Sequence, residues 1–369
     1  MKEKKIDRFF LIIVILLMFI GISMFVSSSL GILNKSAGTF YSVLFSQLVL
    51  GLGFGLVGMY FALKIDYKFW RKYSFYIFLG SILLTAAVFI PELGWRHLGA
   101  DRWIQIGSLR FQPVEILKFG FIIYFAAWLS WAKNRVQDFK FGILPLFVLL
   151  GIIAFILFNQ PDTKSFILIA VTGICMLFIS GASMKWISLL GVGSVIVLGI
   201  LVFFTPYLQE RVKTFIDPSQ DPQGSSYQIQ QSMIAIGSGG IFGRGYGQSI
   251  QKFSYLPEPQ GDSIFAVVGE ELGFVGSTTI IILYMLFLLR GLRIANNSPD
   301  LFSRLLVSGI VILVVAQSFM NIASVTGVFP LTGVPLVFMS HGGTSLMIYL
   351  VAIGIVFQIS KFSFKTSNN

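Results

Sequence analysis

The chain has 369 residues, of which 55% are hydrophobic and only 12% are charged, and runs of about 18 or more apolar residues recur along it. Because each run can cross a hydrocarbon core of roughly 30 Å, the composition excludes a soluble globular protein and predicts an all-α integral membrane protein with one polytopic domain over residues 1–369. The net charge of +11 lies in short basic clusters between these runs, a pattern that indicates membrane topology and argues against nucleic-acid binding.

Ten transmembrane helices are predicted, packed into one bundle that membrane lipids surround. The first apolar run is longer than the roughly 7–15 residues of a signal-peptide core, so it is interpreted as a retained helix. The predicted spans are residues 9–31, 43–63, 73–91, 113–131, 142–158, 165–181, 185–206, 263–289, 303–328 and 342–360.

Lysine and arginine are unevenly distributed across this arrangement. Of the 27 basic residues, 17 fall in segments on the side of the N-terminus, nine fall on the opposite side, and only Lys118 lies within a span. Because cytoplasmic loops carry the excess of basic residues, both termini are predicted to be cytoplasmic.

The outer loop before the fourth span reads "GWRHLGADRWIQIGSLRFQP". It combines three arginines with two tryptophans. Arginine binds phosphate through paired hydrogen bonds, and tryptophan prefers the headgroup level of a membrane. Two interpretations stay open for this loop: a phosphate-binding surface that includes Arg102, or an ordinary amphipathic interface loop.

The fourth span, "FQPVEILKFGFIIYF", contains two charged residues, Glu115 and Lys118. Residues three apart share one face of a helix, so these two side chains can pair. Charges inside a bilayer are costly, and those retained usually pair or line a polar cavity. A pair that lines a substrate cavity is the preferred interpretation, and a pair that only joins helices is the alternative.

Residues 207–262 form a long segment that is predicted to be extracytoplasmic. Loops of more than about 15 residues are usually functional or disordered. Within it, "SSYQIQQSMIAIGSGGIFG" has helix-like spacing and predicts a helix on the membrane surface. The glycine-rich stretch that follows fits neither a Walker loop nor a dinucleotide fingerprint, and a flexible loop is the preferred interpretation.

Four carboxylates crowd the junction of this segment with the eighth span, in "PEPQGDSIFAVVGEELGF". Glu258 is interpreted as a solvated loop residue. Glu270 and Glu271 are expected to pair with basic side chains or to cap the start of the helix, where negative charge is favoured. Asp262 stands where the loop meets the helix.

The stretch 321–345, between the last two spans, is polar and interrupted by glycine and proline. Such backbone persists at membrane depth only if it is packed in protein or faces water. His341, in this stretch, is interpreted as a hydrogen-bonded structural histidine. No Ser-His-Asp order and no metal-ligand cluster occurs in the sequence, so no metal site is predicted.

Four stretches, in this order, resemble signatures of the SEDS family of bacterial cell-wall proteins, which includes FtsW, RodA and SpoVE. They are "GADRWIQIG", "FQPVEILK", "IDPSQDPQGSSYQIQQSMIAIGSGGIFGRGYGQSIQKFSYLPEPQGDSIFAVVGEELGFVG" and "GVFPLTGVPLVFMSHGGTSL". The third is more similar to FtsW and SpoVE than to RodA. The chain departs from the family pattern at Ser263, which follows Asp262 where the family has phenylalanine. It also departs at Lys164 in "QPDTKS", where the family reads "PDxGT", and at Val337 and His341 in "VFMSHGG".

The resemblance implies ten transmembrane helices with cytoplasmic termini in the cytoplasmic (inner) membrane of a bacterium. It also implies a peptidoglycan glycosyltransferase that polymerises lipid II on the outer face of that membrane, in cell division or cell-shape maintenance. The expected partner is a class B penicillin-binding protein. A lipid II flippase or transporter is the alternative, because a polar path through the bundle would serve transport as well as catalysis.

Residue by residue, the resemblance implies that Asp262 is the catalytic aspartate and that Glu115 and Lys118 are the family's membrane pair. Asp262 would act as a general base on the attacking sugar hydroxyl. Lys118 and Arg102 would supply positive charge to the departing pyrophosphate. Capping of the eighth helix is the alternative role for Asp262. No cofactor is expected, and a divalent cation, Mg or Mn, is left open.

Overall fold

The computed structural model describes residues 5–33, 36–97, 100–107, 109–217 and 226–362. Most of these residues are helical. The helices are α1 (Arg8–Leu33), α2 (Ala37–Lys64), α3 (Tyr67–Lys72), α4 (Ser74–Ala86), α5 (Pro113–Ala132), α6 (Ile143–Asn159), α7 (Thr163–Ile179), α8 (Met184–Phe204), α9 (Pro206–Ile216), α10 (Tyr227–Ser238), α11 (Gln251–Ser254), α12 (Ile264–Asn296), α13 (Leu301–Val325) and α14 (Gly343–Ser360).

A helix lies at each of the ten predicted spans. In the described part of the chain, six helices are long and apolar enough to cross a membrane by length and composition: α1, α2, α5, α12, α13 and α14. The helices α4, α6 and α7 are apolar but shorter. The protein is therefore a helical membrane protein, and the ten-span arrangement stays a prediction.

Helix α13 forms the centre of the bundle. It packs against α5, α7 and α12, and most of its side chains are buried. Its start is fixed by a capping box, in which Asp300 accepts from the backbone of Ser303 and the Ser303 hydroxyl bonds back to the Asp300 backbone. A helix buried along most of its length is covered by other helices rather than by lipid, so its few polar side chains face protein.

Helix α2 contains a π-helical stretch, Ser46–Gly53, where it packs against α14. Gly51 and Gly343 meet so closely that a Cβ on Gly51 would lie 2.9 Å from the Gly343 carbonyl oxygen. Small residues permit such close helix contacts in membranes. The stretch also presents Gln47, which donates to the carbonyl of Ser340 and accepts from the N–H of Gly342. These bonds hold the segment before α14 against the bundle.

The outer loop before α5 contains a small sheet, which adds strands to a fold that is mostly helical, as predicted. Its residues form an antiparallel sheet of three strands, β1 (Gly94–His97), β2 (Ala100–Ile106) and β3 (Leu109–Phe111), in the order β1-β2-β3. Trp95 faces Trp103 across the first pair, and Gly107, at φ 63°, begins the turn between the second pair. The strands are short, and the longest of them, Ala100–Ile106, does not alternate strictly between polar and apolar residues, so the hydropathy pattern does not predict the sheet.

The long segment 207–262 is largely folded in its described part, 207–217 and 226–262. It contains α9, α10 and α11, and α10 confirms the helix predicted from its spacing. The glycine-rich stretch after α10 packs directly on the backbone of α12, where Gly273 has φ 66° and interrupts the helix. The N–H groups of Phe274 and Val275 donate to carbonyls of this stretch. The expectation of a flexible loop is therefore wrong here.

Glu270 and Glu271 fasten this folded segment to the bundle, and both are fully buried. Glu271 pairs with Lys252 at 2.7 Å and accepts from the hydroxyl of Ser27 on α1. Glu270 pairs with Arg244 at 3.5 Å and accepts from the N–H groups of Ile250 and Gln251, the N-cap and first residue of α11. The predicted pairing is confirmed for both residues, but Glu270 caps α11 rather than α12, because the loop folds back onto it.

The segment 326–342 lacks helix and is packed within the protein, as predicted. Residues Val334 and Leu336–Ser340 are buried. The N–H of His341 donates to the Gln260 carbonyl, and the ring stacks on Phe25. However, its Nε2 atom is buried without a hydrogen-bond partner among the described residues, so the ring is not hydrogen-bonded as expected.

Candidate functional site

The candidate site is built around Asp262, at the junction of the outer segment and α12. Ser263 is the N-cap residue of α12 and forms no side-chain cap. The Asp262 carboxylate instead accepts a hydrogen bond of 3.0 Å from the side chain of Gln228 on α10. Gln228 also donates to the Ser263 hydroxyl. In this geometry Asp262 does not cap the helix, and its second oxygen, Oδ2, faces Gly333.

The pKa of Asp262 is set by two opposing influences. Burial raises the pKa of its carboxyl above the ordinary value, and this is the larger effect. The positive charge of Lys164, the hydrogen bond from Gln228 and the charge of Arg211 lower the same pKa. A carboxylate whose pKa is raised in this way is a stronger base than a solvated aspartate.

Lys164 lies in the first turn of α7 and reaches the same space as Asp262. Its ammonium donates to the carbonyl of Gly333. A Cβ placed on Gly333 would come within 3.3 Å of the Asp262 Oδ2 atom and 3.6 Å of the Lys164 Nζ atom. The two opposite charges therefore border one small space that a glycine keeps open.

Two arginines approach this space from other elements. Arg102, on β2, donates to the carbonyls of Gln160 at 3.0 Å and of Pro161, just before α7. Arg211, on α9, donates to the carbonyl of Leu331. The charges of both arginines act on Lys164, which places all three cations in one region.

Glu115 and Lys118 form the predicted pair, inside the bundle. Their charged atoms are 2.8 Å apart, and both side chains are buried. The Lys118 ammonium also donates to Gln317 at 2.8 Å and to the Tyr349 hydroxyl at 3.4 Å. Since an ammonium has three N–H donors, these contacts account for all of them.

A polar ladder on α13 connects this pair to Asp262. Gln317 accepts from Lys118 and donates to the carbonyl of Pro335. One turn later, Asn321 donates to the carbonyls of Val334 and of Asp262 itself. The pair therefore supports the backbone on which Asp262 stands, but its charges do not face the Asp262 carboxylate.

The structure thus brings Asp262 and Arg102 into one region and places Glu115 and Lys118 behind it. Sequence reasoning missed three contributors: Gln228, Arg211 and Lys164. The first two come from the long outer segment, whose folding no local pattern indicates. Lys164 did carry a signal, because it stands where the resembling family has a different motif.

A divalent cation finds no ready-made site here. Among the described residues, no group of three or more His, Cys, Asp or Glu side chains converges. Magnesium and manganese prefer several oxygen ligands, whereas the charged neighbours of Asp262 are Lys164 and Arg211. The donor set around Asp262 therefore does not fit a resident Mg or Mn ion.

Comparison with known proteins gives matches over nearly the whole chain. The profile of the FtsW/RodA/SpoVE family, described as "Cell cycle protein", matches residues 7–365. Stage V sporulation protein E of Bacillus subtilis (strain 168) is 36% identical over 362 residues, which cover 98% of this chain and 99% of that protein. A probable peptidoglycan glycosyltransferase FtsW of Geobacter sulfurreducens is 38% identical over 361 residues, covering 97% of this chain and 96% of the relative.

Solved structures share the fold. A chain from a peptidoglycan synthase complex, described in terms of the coordination of polymerization and crosslinking, superposes with a TM-score of 0.80 at 26% identity. The match covers 98% of this chain and 99% of that one. RodA of Thermus thermophilus superposes with a TM-score of 0.72 at 23% identity, over 98% of each chain.

Proposed function

Because this chain belongs to the FtsW/RodA/SpoVE family, we propose that it is a peptidoglycan glycosyltransferase that polymerises lipid II on the outer face of the bacterial cytoplasmic membrane. Its relatives are named for this activity or for sporulation, and the match extends over nearly the whole chain. The observation that carries the proposal is the Asp262 carboxylate, held by Gln228 and bordered by cations, within this family fold.

The proposed reaction joins the sugar hydroxyl of one lipid II molecule to the anomeric carbon of the growing glycan, and the lipid pyrophosphate leaves. A hydroxyl is a poor nucleophile until a base accepts its proton. Asp262 takes that proton, and Gln228 keeps its carboxylate in place. The negative charge that develops on the leaving pyrophosphate is stabilised by nearby cations, among which we include Arg102, whose side chain donates to the Gln160 carbonyl just before α7.

Glu115 and Lys118 act on the substrate site indirectly in this proposal. Because the Lys118 donors are taken by Glu115, Gln317 and Tyr349, we assign the pair to orienting the site rather than to holding pyrophosphate. Gln317, which contacts Lys118, donates to the carbonyl of Pro335, and Asn321, one turn later on α13, donates to the carbonyl of Asp262.

The partner in this proposal is a class B penicillin-binding protein. The described part of the chain contains helices, one small sheet and connecting segments, and the solved relative comes from a complex concerned with both polymerization and crosslinking. A partner that crosslinks peptides would complement a chain that polymerises glycans.

The proposed activity is tested with purified protein and lipid II, with and without the partner, by gel analysis of the products. We expect glycan chains from the complex and fewer from the chain alone. The lipid II flippase is the competing function, because the polar network of Glu115 and Lys118 lies within the bundle. Translocation of lipid II in proteoliposomes, without any glycan from the complex, would favour the flippase and contradict the polymerase.

We propose that both termini are cytoplasmic, since 17 of the 27 basic residues lie on that side. Cysteines introduced at Gly38 and Gln248, both exposed and on the opposite side, are expected to react with a membrane-impermeant thiol reagent in intact cells. A cysteine at Asn297, also exposed, is expected to react only after lysis. Labelling of position 297 but not of 38 and 248 in intact cells would invert the orientation.

A further inference from the structure

Lys164 has no assigned role in the proposed reaction, and the family motif does not contain a lysine at this position. It stands at the start of α7, partly exposed, and one of its N–H donors bonds to the Gly333 carbonyl. Within the described residues, it forms no direct ion pair with a carboxylate. A carbonyl fixes the position of an ammonium but leaves its positive charge for a further anion.

The surroundings of Lys164 carry an excess of positive charge. The charged groups that act on it are Asp162 and Asp262, which are acidic, and Arg102 and Arg211, which are basic. Asp162 is already engaged, because it is buried and accepts from the N–H and hydroxyl of Ser165 at the start of α7. Of the two acidic groups, this leaves Asp262, whose carboxyl is acted on by the positive charges of Lys164 and Arg211, while Arg102 acts on Lys164.

The space bordered by these groups has the character of an anion site next to a base. Thr332, adjacent to Gly333, has a buried hydroxyl without a hydrogen-bond partner among the described residues. Thr332 stands between Leu331 and Gly333, whose carbonyls accept from Arg211 and Lys164, and hydroxyl, guanidinium and ammonium donors suit the many acceptor oxygens of a diphosphate. The glycine at 333 keeps the space open, since any side chain there would approach both Lys164 and Asp262.

We propose that Lys164, with Arg102, Arg211 and Thr332, binds the diphosphate of the lipid-linked sugar beside Asp262. This subsite rests on the proposed function for its biological ligand, but diphosphate binding can be measured without polymerisation. Lys164 thereby takes the role that the sequence had given to Lys118. It also keeps the neighbouring base ionised, because its positive charge favours the carboxylate form of Asp262.

The binding test uses farnesyl diphosphate in detergent with the full chain carrying Asp262→Asn, so that turnover plays no part. Lys164→Met is expected to weaken binding at least tenfold, and Lys164→Arg is expected to retain most of it. The matched control is Lys213→Met, which removes an exposed cation from α9. Thermal unfolding of each variant separates lost binding from lost folding.

Three results of this binding experiment would each lead to a different conclusion about the subsite. Equal binding by the Lys164→Met variant and the parent, or an equal loss in Lys213→Met, overturns the subsite. Inorganic pyrophosphate that binds as tightly as farnesyl diphosphate would assign the site to a free diphosphate and overturn the lipid-linked ligand. If the protein makes no glycan but still binds through Lys164, the proposed function fails while the subsite stands.

A second readout is the pH dependence of glycan synthesis with Asp262 intact. Asp262 acts as a base only when it is deprotonated, so the rate falls as the pH drops through its pKa. Removal of the Lys164 charge removes an influence that lowers the pKa of Asp262. The acid limb of the profile is therefore expected to move to higher pH in Lys164→Met and to stay in place in Lys164→Arg. An unmoved acid limb in Lys164→Met contradicts the predicted coupling.

Discussion

Asp262→Asn is expected to reduce glycan synthesis by about 10²–10⁴-fold while leaving the protein folded, since a positioned general base typically contributes that much. Asparagine keeps the size of the side chain and can still accept the hydrogen bond that Gln228 donates. It cannot take a proton from the attacking hydroxyl. The measurement is the rate of lipid II polymerisation by the complex, together with the thermal unfolding temperature of each variant.

The control for this variant is Glu258→Gln, which neutralises an exposed carboxylate four residues earlier in the same segment. It is expected to polymerise lipid II at close to the parent rate. A variant Asp262→Asn that also retains close to the parent rate would show that Asp262 is not the base. Equal losses in both variants would point to a general effect of negative charge in this segment rather than to catalysis by one residue.

Much of the helical architecture was predictable, because an apolar run long enough to cross a bilayer must satisfy its own backbone hydrogen bonds and therefore forms a transmembrane helix. The pairing of Glu115 with Lys118 was predictable for a similar reason: three residues apart on a buried helix, two opposite charges have no better partner than each other. Pairing of Glu270 and Glu271 with basic residues followed from the cost of burying a lone carboxylate.

The arrangement around Asp262 could not be predicted in the same way. Gln228, Lys164 and Gly333 come from α10, α7 and the segment before α14, and no local spacing relates these three elements. Their convergence depends on how the outer segment folds back on the bundle. The small sheet gives no clear local signal either, since its longest strand, Ala100–Ile106, does not alternate strictly between polar and apolar residues.

The Glu115–Lys118 pair is expected to have the largest single effect on stability. Lys118→Met leaves the Glu115 carboxylate buried without its partner, and breaking a buried pair in this way typically costs about 3–5 kcal/mol. Replacing both charges, in Glu115→Gln with Lys118→Met, removes the uncompensated charge and is expected to restore most of the stability. The measurement is the free energy of unfolding, or the unfolding temperature, of each variant in mild detergent.

The rate of lipid II polymerisation distinguishes two roles for the Glu115–Lys118 pair: support of Asp262, or only the packing of α5 against its neighbours. If Lys118 orients Gln317, and through the α13 ladder the carbonyls of Pro335 and Asp262, the stable double variant should still polymerise lipid II slowly. A shift of about 1 Å in a reacting group can cost up to about 10²-fold in rate. The control is the ion pair of buried Asp7 and half-buried Arg290, 2.7 Å apart at the other end of α12.

Asp7→Asn with Arg290→Met is expected to change stability and to leave the rate per folded molecule close to that of the parent, because this pair does not contact the α13 ladder. The two double variants thus differ in one respect, the connection of the lost pair to Asp262. A Glu115→Gln/Lys118→Met variant that regains its stability and polymerises at the parent rate would show that the pair only joins α5 to its neighbours. A stable variant that polymerises slowly would show that Lys118 helps to position Asp262 without contacting the substrate itself.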